Sequence, residues 1–142
     1  MSPPEETVYM TPQDAESAFY DALKKGNLKA MMQVWSDDEE VVCIHPGGAA
    51  LIGYRAVREA WQRIFENSGQ FHLQVVQQAA LVTPSTVVTH VLEHFSQSES
   101  GLIAPVAATN IYTRGVFGWR MVGHHASPAP PDNLTDVPMV LH

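Results

Sequence analysis

"AWQRIFENSGQFHLQVVQQAALV", residues 60–82, changes its apolar rhythm at Gly69. Upstream, Trp61, Ile64 and Phe65 join Val57 at the spacing that gives a helix one apolar face, while Arg55, Arg58, Glu59 and Gln62 fall on the others. Downstream the spacing drops to about two, the period of a strand. Gly69 therefore ends a helix, and no further helix is expected between 71 and 96.

Toward the C-terminus, stretches 71–82, 85–97, 102–114 and 118–127 read as strands, joined at "TPS", "SQSESG" and "GVFG". Connections this short join neighbours, which predicts an antiparallel meander. Pro105 has no N–H to give to a ladder, so it predicts an edge position or a bulge inside the third stretch. Toward the N-terminus, Thr11 reads as an N-cap, Pro12 as the first helical residue, Asp14 and Glu16 as first-turn acids facing the helix dipole, and Gly26 as a C-cap. Ala15, Ala18, Phe19, Ala22 and Leu23 give that helix its apolar face. Leu28, Met31, Met32 and Trp35 make a second, short helix, closed by the solvated acidic turn "SDDEE" at 36–40. "VVCIH", 41–45, is β-branched and too short for a helix; it is a strand that ends in an imidazole, and "PGG" turns the chain away.

The predicted fold class is α+β: a cone-shaped roll, three N-terminal helices packed on a strongly bent, mostly antiparallel sheet. It spans 12–128, with an N-terminal arm at 1–11 and a proline-rich C-terminal tail at 129–142. The open end of such a cone suits a small apolar or aromatic organic molecule. Alternate apolar positions on both faces, as in Val87/Val88 and Val91/Leu92, exceed what one helical layer covers and predict a homodimer formed through the sheet.

Charge and composition exclude several classes. Eight Lys+Arg against 15 Asp+Glu leave a net charge of -7, the wrong sign for a phosphate backbone, so no nucleic-acid partner is expected. No apolar run is long enough to cross a membrane, and "MSPPEETVYMTPQDAE" lacks the basic and apolar regions of a secretory signal, so a cytoplasmic protein is expected. Cys43 is the only cysteine; it permits no intramolecular disulfide, and within "VVCI" it reads as a small core hydrophobe. There is no phosphate-binding glycine loop, nucleophile elbow or metal-ligand motif, and no cofactor or metal is expected. His90 and His94 do not alter this, because residues four apart on a strand are roughly 13 Å apart, too far to share one ion.

"AFYDALKKGNLKAMMQVWSDDEEVVCIHPGGAALIGYRAVREAW", 18–61, resembles the first half of SnoaL-like proteins, in the superfamily that includes nuclear transport factor 2 and ketosteroid isomerase. The marks are a helix ending in Gly-Asn, a tryptophan before an acidic turn, a strand ending in His-Pro, and G-x-x-A-V-x-x-x-W from Gly53 to Trp61. "ATNIYTRGVFGWRMVGHHASP", 108–128, resembles the closing hairpin of the same group. The likeness implies the cone fold and pairing through the sheet. For function it implies only a range, from isomerases, cyclases and dehydratases to non-catalytic binding or association domains.

Position by position, the resemblance sets His45 where ketosteroid isomerase has its catalytic base, and Asn110 where it has an acidic oxyanion donor. The donor tyrosine of the first helix falls on Phe19, which has no hydroxyl; Tyr20 points about 100° away on an ideal helix. His45 is either a general base, since imidazole titrates near neutrality, or a ring packed under the turn and bonded to a backbone carbonyl. His124 and His125 point to opposite faces of a strand; His125 shares a face with Trp119, Met121 and Gly123, the face that lines the pocket in the relatives, so His125 is taken as the pocket residue, the alternative being that either histidine hydrogen-bonds within a dimer interface. The expected catalytic set is His45, Asn110 and His125, with Trp35, Trp61, Glu93 and Tyr112 as substrate-binding residues. Trp35 and Trp61 read most simply as core residues of the second and third helices, which at a cone's mouth could also stack on a flat ligand, and Glu93 reads equally as a surface or interface charge.

Overall fold

The computed structural model describes residues 7–69, 71–97, 101–102 and 105–130. Helix α1 (Pro12–Lys25) begins where Thr11 leaves extended backbone and its Oγ1 accepts the Asp14 N–H at 3.0 Å. It ends at Gly26, whose φ of 63° is the left-handed cap that glycine adopts without a Cβ penalty. Helix α2 (Leu28–Val34) is capped by Asn27, and α3 is Tyr54–Asn67. The strands are β1 (Val42–Ile44), β2 (Leu51–Ile52), β3 (His72–Val82), β4 (Thr86–Gln97), β5 (Gly101–Leu102), β6 (Val106–Gly115) and β7 (Gly118–Pro128). Helix gives way to sheet just past Gly69, and 72–82 and 86–97 are strand throughout.

One sheet runs in the order β2-β1-β7-β6-β4-β3, with β5 beside β4. All pairings are antiparallel except β1 with β7. The third expected strand is broken at Pro105 into β5 and β6, which both pair with β4. The two-residue strand β2 was beyond the reach of a periodicity argument, which needs more residues than that. The helices cover the inner face, where Phe19, Met31, Val34, Trp35 and Val57 pack against Val87, Val91, Tyr112 and Met121. Among the described residues no helix is long and apolar enough to cross a membrane. The terminal arms lie outside the described residues up to 6 and from 131.

Two local devices decide which side chains meet. At the end of β1, the Gly48 N–H bonds the His45 carbonyl at 2.8 Å across Pro46 and Gly47, and Gly47 has φ 76°. Proline second and a positive-φ glycine third is the pattern of a type II turn, which lets the chain leave while the imidazole stays. In β7, Met121 pairs with Tyr112 and Gly123 with Ile111, so Val122 is an extra residue, a β-bulge. Trp119 and Met121 face inward before it; His124 and Ala126 face inward after it, and His125 is turned out.

Gly47→Ala and Gly118→Ala both force a side chain into positive φ, at 76° and 85°. A Cβ at Gly47 meets nothing within 4 Å, whereas one at Gly118 would lie 2.6 Å from the Tyr9 carbonyl oxygen. Gly47→Ala is expected to cost about 1–2 kcal/mol in denaturant unfolding, the left-handed backbone alone. Gly118→Ala is expected to cost clearly more, and equal losses would mean that the Tyr9 contact carries no weight.

Candidate functional site

Four strands bring Thr89, Asn110, His124 and Cys43 into one inward-facing row, since Thr89 pairs with Asn110, Asn110 with His124 and His124 with Cys43. Glu93 on β4 and His45 past β1 stand beyond this row. There a cavity of about 450 Å³ opens between the sheet, the C-terminal end of α1 and helix α3. Leu23, Ile64, Phe65, Phe71, Phe95 and Val106 make its walls largely apolar, and His45, Glu93, Trp61 and His124 line it too. A hollow of similar size between α1 and β3 lacks any histidine.

Behind the cavity wall a hydrogen-bond network crosses from sheet to helix. Glu16 Oε2 accepts from Thr89 Oγ1 at 2.6 Å, Tyr112 OH at 2.7 Å and Asn110 Nδ2 at 3.0 Å. Asn110 Nδ2 also donates to the Tyr20 hydroxyl at 2.9 Å, and Tyr20 donates to Glu93 Oε2 at 2.6 Å. Asn110 Oδ1 lies 2.6 Å from His124 Nδ1. The His45 ring stands edge-on to Trp61, centroids 4.7 Å apart, and 6.5 Å from the His124 ring; its Nε2 is 3.6 Å from Cys43 Sγ.

Burial sets the electrostatics. Glu93, only 3% exposed, is raised to about 7 by desolvation; the Tyr20 hydrogen bond holds it from rising further, and Glu16 pushes it up. The same desolvation acts on imidazole with the opposite sign. His124 is lowered to about 3, helped by His45 and His125, and His45 is lowered as well. Both rings are therefore neutral at pH 7. Burial, and then Glu93, pushes the Cys43 thiol up to about 12, and burial with the Glu93 charge pushes Tyr20 well above its ordinary value, so both keep their protons.

The structure brings His45, Trp61 and Glu93 to the cavity and leaves four other expected residues elsewhere. His125 is exposed on the opposite face; the Val122 bulge reverses the alternation, and the lining imidazole is His124. Asn110 is fully buried behind His124, and Tyr112 is fully buried against Glu16. Trp35, at the end of α2, bridges to Met121 and borders a separate hollow beside the β6–β7 turn. Sequence reasoning also missed Glu16 and Tyr20. Glu16 read as a dipole-facing acid, yet its spacing of four from Tyr20 set both on one helix face, and that was the available signal. Among the described residues no group of three or more His, Cys, Asp or Glu could hold a metal ion.

Residues 13–131 match the family described as SnoaL-like domain. A solved structure from Thiobacillus denitrificans, provisionally named a calcium/calmodulin-dependent protein kinase type II association domain, is 41% identical with a TM-score of 0.85, covering 88% of this chain and 100% of that one. Another from Streptomyces avermitilis, provisionally named a dehydratase of the NTF2-like family, is 26% identical with a TM-score of 0.71, covering 82% of this chain and 92% of that one. The F-box protein SKIP8 of Arabidopsis thaliana is 29% identical over 110 residues, 77% of this chain; the match spans 46% of that protein, about half its length.

A carboxyl group raised from 4.5 to about 7 on folding binds its proton more tightly in the native state. Its stabilising contribution is complete below pH 4.5 and is lost as pH rises through 7. Glu93→Gln keeps an acceptor for Tyr20 and removes the ionisation. Relative to that variant, the wild type is expected to lose of order 2 kcal/mol of unfolding free energy between pH 5 and 8. Parallel pH profiles in denaturant melts would show that Glu93 is not held near 7.

Proposed function

We propose, because this chain belongs to the SnoaL-like domain family, that its cavity binds a small apolar or aromatic organic molecule and moves a proton on it without a cofactor. The observation that carries this reading is the convergence of Glu93, His45 and His124 on one apolar cavity, with Glu93 titrating near neutrality. A general acid or base works best when its pKa lies near the working pH, and desolvation has tuned Glu93 toward that value. Protonated Glu93 gives its proton to a carbonyl oxygen while neutral His45 takes one from the neighbouring carbon, leaving an enol. Reversal at another carbon completes an isomerisation, and loss of a β-hydroxyl as water completes a dehydration. Asn110 and His125 do not hold the substrate's oxygen in this scheme, since one is sealed in the wall and the other faces out. The name of the Streptomyces avermitilis relative supports the class of chemistry. The lone, buried Cys43 suits a reducing, cytoplasmic setting.

The test is hydrogen–deuterium exchange on a panel of enolisable aryl ketones with and without a ring hydroxyl, such as hydroxy-β-tetralone and β-tetralone, followed by proton NMR in D₂O. The wild type is expected to accelerate loss of the α-proton signal in at least one ketone, and Glu93→Gln and His45→Ala to reduce that acceleration roughly 100- to 10,000-fold. His45→Ala should melt close to the wild type, because the ring is only partly buried and its one hydrogen-bonding contact among the described residues is the Cys43 sulfur. Exchange at the buffer rate across the panel would remove the catalytic reading.

A homodimer is the second part of the proposal, and it would serve an association domain equally well. Val76, Leu81 and Val82 are large apolar side chains left exposed on β3, and Val88 and Leu92 alternate with the buried Val87 and Val91. The Thiobacillus denitrificans relative carries the name of an association domain, which supports pairing. Light scattering at micromolar concentration is expected to return twice the 15.6 kDa chain mass, and Val88→Lys with Leu92→Lys to return the monomer. A wild-type monomer would sink it.

A further inference from the structure

We infer that Asn110 is a positioning residue that locks His124 as the Nδ1–H tautomer, so that bare Nε2 is a fixed acceptor in the cavity wall and the fitting ligand is an apolar molecule bearing a hydroxyl. The tautomer follows from the network alone; the ligand class rests on the reading that the cavity is the binding site.

The chain of constraint starts at Glu16. Its Oε2 already receives hydrogen bonds from Thr89 and Tyr112, and a carboxylate oxygen can only accept, so Asn110 must turn its Nδ2 toward it, at 3.0 Å. The second hydrogen on Nδ2 goes to the Tyr20 oxygen at 2.9 Å, because Tyr20 spends its own proton on Glu93 at 2.6 Å. Turning the amide over would set Oδ1 against the Glu16 carboxylate and lose both bonds. With Nδ2 committed, Oδ1 faces His124 Nδ1 at 2.6 Å. Two acceptors do not meet at that distance, so the proton sits on Nδ1. A neutral imidazole has one N–H and one lone pair, so Nε2 carries the lone pair. The ring is 4% exposed, and burial keeps it neutral. Nε2 has no partner among the described residues, and the ring lines the cavity. Protonating Glu93 on its other oxygen leaves every bond of this chain in place.

The consequence is a polarity rule. A molecule seated on His124 must bring a donor, and a methyl ether of the same shape leaves the lone pair unmatched in a desolvated wall.

The tautomer is read on ¹⁵N-labelled wild type at pH 7 with no ligand, by proton–nitrogen correlation through the two- and three-bond couplings of the imidazole; His124→Asn identifies the resonances. His124 is expected to show a pyrrole-like Nδ1 and a pyridine-like Nε2, and the reverse pattern overturns the proposal. In Asn110→Leu the acceptor is gone and the Nε2–H form should appear; a folded variant still wholly Nδ1–H overturns the role of Asn110. Should that variant fail to fold, the wild type carries the test: a Nδ1–H bonded to Asn110 Oδ1 is expected to be protected from exchange with solvent, and exchange at the rate of a solvated imidazole N–H would overturn the contact. For the ligand, phenol is expected to bind about tenfold more tightly than anisole and to shift the Nε2 resonance. Equal binding of the two overturns the ligand class. Binding of neither overturns it too, and counts against the cavity as the functional site, while the ligand-free tautomer stands or falls separately.

Discussion

One carboxylate oxygen, Glu16 Oε2, fixes the distance between the first helix and the sheet. Glu16 is only partly buried, yet three donors from two neighbouring strands converge on this single oxygen, each a hydrogen bond strengthened by a charged acceptor. Thr89 on β4 and Asn110 and Tyr112 on β6 can all reach it only if α1 lies across both strands at one height and one rotation. That rotation carries Tyr20, one turn further along the helix, to Glu93 and Asn110. It also sets Phe19 against His124 and Trp61, with ring centroids 5.0 and 5.8 Å away. The wall of the cavity therefore hangs from a residue that does not line it.

The second constraint is the extra residue in β7. A strand shows one face at odd positions and the other at even ones, and Val122 exchanges the two between Met121 and His124. Without the bulge the chain would offer His125 to the interior opposite Ala108, and Asn110 would pair with Gly123, which has no side chain to bond it. Bulge and network depend on each other, since His124 can be sealed as a neutral ring only because Asn110 Oδ1 is there to take its proton's hydrogen bond.

This explains where sequence reasoning succeeded and where it failed. Periodicity is a property of long stretches, and the helix of 54–67 and the strands of 72–82 and 86–97 were legible from the change of spacing at Gly69. Caps are local chemistry, so Thr11 and Gly26 were legible as well. The alternation of β4 set Thr89, Val91 and Glu93 on one face, and no irregularity intervenes between Val87 and Glu93, but alternation alone left open which face turns inward. The choice of His125 over His124 failed because it carried that alternation across a bulge, and one added residue inverts every assignment beyond it. Glu16 went unread for another reason: an acid two residues past Asp14 in a first turn has a sufficient local explanation in the helix dipole, and its partners lie more than seventy residues away. The family resemblance pointed to Phe19 as the donor's place on α1, whereas the hydroxyl is delivered by Tyr20, one residue on.

Burial moves acids and imidazoles in opposite directions, and the cavity uses both. Desolvation raises Glu93 to about 7 and lowers His124 to about 3 and His45 below its ordinary value, so each group is driven toward its uncharged form. At neutral pH the imidazoles are uncharged and the carboxyl group is near its midpoint, and one proton on Glu93 decides whether the wall carries a charge. A group at its midpoint exchanges that proton at little free-energy cost in either direction, whereas His124, far from its own, holds its protonation state against the same change in pH. The fold thus separates the roles by depth and partner. The titrating group is anchored by a hydrogen bond from Tyr20, while His124, bonded at Nδ1 to Asn110 and flanked by the Phe19 ring, supplies a polarity that does not vary.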